Sequence, residues 1–252
     1  MKIDLRNKVI LVTGAGRGIG KAIASLAGSA GATVAVHAHS SLEKASALSN
    51  EIGNGSKAFS TDLADMIQTE ALYHAVLSEF GKLDVLINNA GVAISSPPVT
   101  DNVQWLEDWN KTMAVNLTAM GLLCKLAIPD FIAHQGGIII NISSRAAFRG
   151  DTADYLAYAA SKGGVVALTR SIARAWGKQN ITAFGVAPGF TRTEMAQDFI
   201  DAYGEDYAIK DLALSELTTP KDVAQTVIFL ASGLARHATG ATIDINAGSY
   251  VR

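Results

Sequence analysis

From Lys8 onward, short apolar runs alternate with longer amphipathic ones. Val9-Ile10-Leu11-Val12-Thr13 is almost continuously apolar, the pattern of a strand buried on both faces of a parallel sheet. Comparable runs stand at 33–37, 58–60, 85–88, 137–142, 182–186 and 242–245. Between most of them apolar positions recur at helical spacing, over 20–30, 42–52, 66–80, 105–133, 154–177 and 220–232. Strand and helix in alternation imply right-handed crossovers. The pattern therefore predicts an α/β protein with a doubly wound parallel sheet of the Rossmann type. No composition break, low-complexity linker or fixed-period repeat interrupts it, so 1–252 reads as a single domain.

Composition narrows the function classes. With 252 residues, 49% of them apolar, the chain can bury a large core. A net charge of -2 without Lys/Arg clusters excludes the electrostatic footprint of a nucleic-acid binder. The single Cys124 excludes an internal disulfide; within the apolar run 120–128 it reads as a buried, inert thiol. Met1-Lys2-Ile3-Asp4-Leu5-Arg6 has no apolar leader core, and no apolar run is judged to reach membrane length. A soluble cytoplasmic protein with no membrane partner is expected.

The first strand runs into Thr13-Gly14-Ala15-Gly16-Arg17-Gly18-Ile19-Gly20, which fits G-x-x-x-G-x-G through Gly14, Gly18 and Gly20. Glycines between a buried strand and a helix make a tight turn and let backbone N–H groups approach a pyrophosphate at the helix N-terminus. The second strand ends Val36-His37-Ala38-His39-Ser40-Ser41, with no carboxylate before Glu43 to take the ribose 2′-hydroxyl of NAD. Arg17, His39, Ser40 and Ser41 are possible donors to a 2′-phosphate, so NADP(H) is favoured over NAD(H). Two histidines without a third ligand make no metal site, and they read otherwise as a solvated strand end. Asp62 follows the third strand and Asn88-Asn89-Ala90-Gly91 the fourth, at the carboxyl ends where open α/β sheets bind ligands.

Tyr158 and Lys162 lie four residues apart in a helical stretch and so share one face, one turn apart. A phenol ordinarily ionises near pH 10, and an adjacent ammonium favours the phenolate. The pair is therefore a plausible proton-transfer device.

Taken together, these motifs resemble the short-chain dehydrogenase/reductase family over nearly the whole chain. The likeness rests on Gly14, Gly18 and Gly20, on Asp62, Asn88-Asn89-Ala90-Gly91, Asn116, Ile142-Ser143-Ser144, Tyr158/Lys162 and Pro188-Gly189. Within the family the chain is most similar to the 3-oxoacyl-carrier-protein reductase-like branch. The resemblance implies a metal-free hydride transfer between NADP(H) and a ketone or secondary alcohol, with 3-oxoacyl thioesters among the candidate substrates. Tyr158 would protonate the carbonyl oxygen, Lys162 would lower its pKa and hold the nicotinamide ribose, a serine would bind the substrate oxygen, and Asn116 would hold a relay water. The glycine turn, with Arg17 and Ile19, would bind the cofactor. Asp62 and Leu63 would lie near the adenine, and the backbone of Asn89, Ala90 and Gly91 along the cleft. Pro188, Gly189, Thr191 and Thr193 would meet the nicotinamide end. Family analogy also implies a homotetramer.

Two positions depart from the family pattern. The usual serine-to-tyrosine spacing lands on Arg145, so the loop 145–154 carries one extra residue. Ser144 is the expected catalytic serine with Ser143 as the fallback, since strand alternation points them to opposite faces. Phe184 stands where relatives commonly carry Asn, and core packing accounts for it. The segment 190–217 is expected to form a lid over the substrate. A rival class, a non-catalytic NADP(H)-binding regulatory or assembly protein, has only the serine spacing in its favour.

Overall fold

The computed structural model describes residues 3–194 and 209–252. β1 (Val9–Val12) leads into α1 (Gly18–Ser29), β2 (Thr33–Ala38), α2 (Leu42–Ile52), β3 (Lys57–Ser60), α3 (Met66–Phe80) and β4 (Val85–Asn88). The helix α4 (Asn102–Met113) continues through a π-helical turn (Ala114–Thr118) into α5 (Ala119–Ala133). β5 (Gly137–Ile142), the short α6 (Ala146–Arg149), α7 (Leu156–Trp176) and β6 (Ile181–Pro188) follow. After the undescribed residues come α8 (Pro220–Ala231) and β7 (Thr242–Ile245).

All seven strands pair in parallel, in the order β3-β2-β1-β4-β5-β6-β7. This is the expected doubly wound sheet. The order reverses between β1 and β4, and that switch point opens a crevice at the carboxyl ends of the strands. Alternation divides β1: Ile10 and Val12 pack toward α1 and α8, Val9 and Leu11 toward α3, α5 and α7. Both faces are covered, which is why the strand reads as an unbroken apolar run. Phe184 is fully buried on the α1/α8 face, so core packing does account for it.

The expected helix 105–133 starts earlier, at the Asp101 cap, whose side chain accepts from the N–H groups of Val103 and Gln104. Against the expectation that no run reaches membrane length, the continuous helix Asn102–Ala133 is long and apolar enough to cross a bilayer. Part of it is core: Leu123, Cys124, Ala127 and Phe131 are buried against the sheet, whereas Val103, Leu106 and Ile132 are exposed. Burial pushes the Cys124 thiol up to about 12, as an inert thiol requires.

A buried polar chain fixes the helix that matters most for chemistry. Asn88 on β4 donates to Asn141 Oδ1 on β5 (2.9 Å), and Asn141 donates to Thr169 Oγ1 on α7 (2.9 Å). In an apolar interior such bonds are directional, so they set where α7 sits along the strands.

Candidate active site

Three loops at the switch point build the cleft. In the first, Gly14 has φ +65 and Gly18 φ +53, conformations that disfavour side chains. A Cβ at Gly14 would lie 2.9 Å from Ala90 Cα, and one at Gly20 only 2.2 Å from Gly14 O, so the turn closes tightly on the β4 loop. Asn89 locks that approach by donating to the carbonyls of Thr13 (2.9 Å) and Gly14 (3.1 Å). The N-cap of α1, Arg17, makes no side-chain bond to the first turn, which leaves amides such as those of Gly18, Ile19 and Gly20 for an anion.

At the ribose end the charges are more balanced than the sequence implies. The Arg17 guanidinium meets Glu194 at 3.1 Å, and His39 Nε2 lies 3.6 Å from Asp62 Oδ1. Ser40 is exposed beside them. Both carboxylates arrive from distant chain positions. Asp62 also accepts from Ala64 N–H at 2.9 Å. The Leu63 side chain is buried in the core. His37, read above as a solvated strand end, is 1% exposed and belongs to the interior.

In the centre, the tandem serines separate as alternation requires. Ser143 turns inward and donates to Lys162 O at 2.9 Å. Ser144 accepts from Ala146 N–H at 3.1 Å, and its hydroxyl is near enough to the Tyr158 phenol to favour the phenolate. The loop 145–154 contains α6 and a turn at Gly150, φ +78. Burial raises the Tyr158 pKa; the Ser144 hydroxyl opposes that shift, a nearby Asp151 adds to it, and the Arg145 charge opposes it.

Lys162 is buried, donates to Ile142 O at 2.9 Å, and stands 5.8 Å from the Tyr158 ring centroid. Desolvation lowers its pKa to about 8. Against the expectation that Lys162 lowers the Tyr158 pKa, burial raises it, and the cation that opposes the rise is Arg145, whose N–H donates to Pro188 O at 3.0 Å. Burial, then Arg149, lowers its own pKa. In the sequence Arg145 is only the position on which the usual serine spacing lands, because proximity across the loop is not encoded in spacing.

Asn116 sits in the π-helical turn, a frequent mark of functional helices. Its side chain is fully engaged: Oδ1 accepts from Val92 N–H (2.8 Å), and Nδ2 donates to Val92 O (2.9 Å) and Ser161 Oγ (3.1 Å). A Cβ on Gly91 would lie 3.3 Å from both Asn116 Oδ1 and Lys162 Nζ, so a glycine keeps the cleft floor open there.

On the far wall, Gly189 is required because a Cβ would strike Asn246 Cβ at 2.6 Å. Thr191 donates to Gly189 O (3.1 Å), and Thr193 Cγ2 lies 3.4 Å from where a Gly18 Cβ would be. The wall thus comes down on the glycine turn. Of the expected lid, 195–208 lie outside the described residues.

A glycine cradle with open helix amides, joined to a Ser/Tyr/Lys cluster on a doubly wound sheet, marks a dinucleotide-dependent oxidoreductase. The family model described as enoyl-(acyl carrier protein) reductase matches residues 14–249, and the chain belongs to the short-chain dehydrogenase/reductase family. It is 37% identical to the 3-oxoacyl-[acyl-carrier-protein] reductase FabG of Staphylococcus aureus, over 97% of this chain and 98% of that one. It is 34% identical to the D-threitol dehydrogenase of Mycolicibacterium smegmatis, over 98% and 95%. A solved 7 alpha-hydroxysteroid dehydrogenase, complexed with NADH and 7-oxo glycochenodeoxycholic acid, superimposes with a TM-score of 0.90. That protein is 30% identical, with 98% of this chain and 96% of that one covered. The protein is an oxidoreductase using a nicotinamide cofactor.

Proposed function

We propose that the protein is an NADPH-dependent carbonyl reductase whose substrate is a 3-oxoacyl thioester, working as a cytoplasmic homotetramer. The observation that carries the chemistry is the buried Tyr158 phenol with the Ser144 hydroxyl near it and Lys162 Nζ 5.8 Å from its ring centroid, one helical turn on. Location and assembly rest on the resemblance alone.

A bound nicotinamide supplies the hydride. The residues do the rest. Ser144 Oγ–H donates to the substrate carbonyl oxygen and holds it at Tyr158. As negative charge grows on that oxygen, Tyr158 Oη gives up its proton, and the product is the alcohol. The phenolate left behind is favoured by the Arg145 charge and by the Ser144 hydroxyl. Lys162, held by Ile142 O with its Nζ beside Gly91, faces the place of a ribose. Asn116, with its side chain committed, fixes the α4–α5 junction against Val92 and Ser161. Gly14, Gly18, Ile19 and Gly20 receive the pyrophosphate, with Asn89, Ala90 and Gly91 along the ribose side. Asp62 and the Leu63 backbone lie at the adenine; Pro188, Gly189, Thr191 and Thr193 line the nicotinamide side.

The NADP(H) preference is supported by Arg17 beside the glycine turn and by the acid-free stretch 36–41. A 2′-phosphate would take Arg17 over from Glu194. The thioester substrate is supported by the S. aureus relative; the threitol relative makes a polyol ketone its competitor.

The test is oxidation of NADPH and NADH against 3-oxoacyl thioesters, ketoses and steroid ketones. Turnover of a thioester with NADPH, abolished in Tyr158→Phe while NADPH still binds, is the expected result. Undiminished turnover in Tyr158→Phe, or turnover confined to ketoses, refutes the mechanism or the substrate class respectively.

A further inference from the structure

His37 lies near the end of β2 with its ring between two loops. Gly14 N–H donates to Nδ1 at 3.1 Å, and Nε2 lies 3.0 Å from Thr61 O. A backbone amide only donates and a carbonyl only accepts, so the ring is neutral and carries its proton on Nε2. The main-chain carbonyl of His37 also accepts from Ala15 N–H at 2.6 Å. One residue thus grips two successive positions of the glycine turn. On the other side, Thr61 N–H donates to Ala38 O at 3.1 Å, and the next residue is Asp62. The glycine turn has little freedom to move by itself, because Gly14 is packed on Ala90.

We infer that His37 is a positioning residue for the adenosine half of the cofactor site, its Nε2–H imidazole setting the separation of the Gly14–Ala15 and Thr61–Asp62 turns. This rests on the dinucleotide reading above. The buried imidazole suits a fixed spacer: it bridges both loops by rigid ring geometry, and it keeps one tautomer. Burial lowers its pKa to about 4, against a smaller opposing effect of the Thr61 bond, so the ring is neutral near pH 7. His39, two residues on, faces Asp62 at the surface and takes no part in the bridge.

The test compares the whole protein with His37→Leu and His37→Asn by NADPH titration calorimetry and steady-state kinetics. Leucine removes both bonds; asparagine keeps an acceptor for Gly14 N–H. The leucine variant should bind NADPH about tenfold more weakly, with kcat at saturating NADPH within about twofold and the asparagine variant in between. Unchanged NADPH affinity in the leucine variant, or a loss in kcat with affinity intact, overturns the inference. Should leucine prevent folding, the asparagine variant decides, together with 15N histidine spectra of the wild type. Those spectra should show His37 as the Nε2–H tautomer alone over roughly pH 6 to 8, where an ordinary imidazole titrates. An Nδ1–H tautomer or a mixture overturns it. Wild-type protein that binds no dinucleotide would refute the functional reading itself, a result told apart by needing no variant.

Discussion

Acid should destabilise this protein through His37, and the size of the effect can be worked out. Desolvation lowers the imidazole pKa from 6.5 to about 4. The unfolded chain, with an ordinary imidazole, therefore binds about one proton more than the folded one between those values. Stability depends on pH as the difference in bound protons, so here it falls as pH falls. The stabilisation is whole above about pH 6.5 and is lost by about pH 4, for a total of about 3 kcal/mol. For a chain of this size that is roughly 6 to 12 °C in Tm. Hydrogen-bonded carboxylates such as Asp65 and Asp222, whose pKa values are lowered, also lose stability in acid. Their contribution is common to a His37→Asn variant and cancels in the comparison. Urea midpoints for both proteins from about pH 7.5 to 4.5 are the assay. Near pH 5 the wild type should lose about 1.4 kcal/mol more per pH unit than the variant. Equal slopes would mean that His37 is protonated or solvated in the folded state, and would refute the reasoning.

The two serines should separate cleanly. Ser144→Ala should lower kcat about 100-fold with stability little changed, as loss of a donor to a developing oxyanion does. Ser143→Ala should cost about 1 kcal/mol of stability through its lost bond to Lys162 O; the opposite pattern in kinetics and thermal melts would exchange their roles. Arg17→Ala should weaken NADPH more than NADH in binding titrations, whereas equal losses would mean that the arginine only supports the turn. Gly20→Ala places a methyl 2.2 Å from Gly14 O and 2.5 Å from Asn89 Nδ2, so the turn must move. A cost of about 1–3 kcal/mol in stability, with weaker dinucleotide binding, is expected, and an unchanged Tm would contradict the packing.

Much of the site is visible in the chain because its signals are short-range. The glycine turn follows β1 directly, Tyr158 and Lys162 are one helical turn apart, and Ser143 and Ser144 alternate on a strand end. What escaped notice depends on distant partners. His37 reads as solvent-facing, yet it bonds across 23 residues to Gly14 and 24 to Thr61. Glu194 reaches Arg17 across 177 residues, so the absence of an acid in 36–41 did not leave the ribose end free of carboxylates. The Arg145 charge at Tyr158 escaped for the same reason, since the path of 145–154 depends on α6 and the Gly150 turn.

The sequence by itself determined the strand and helix alternation, the glycine cradle and the tyrosine–lysine turn. Side-chain periodicity and turn chemistry are local properties that survive without knowledge of the fold. Only the tertiary structure decided which serine faces the phenol, that His37 is a buried neutral bridge, and that two carboxylates share the ribose end with Arg17 and His39. Hydrogen bonds and charges act over a few ångströms of space, and only the packed sheet brings those distant positions within that range.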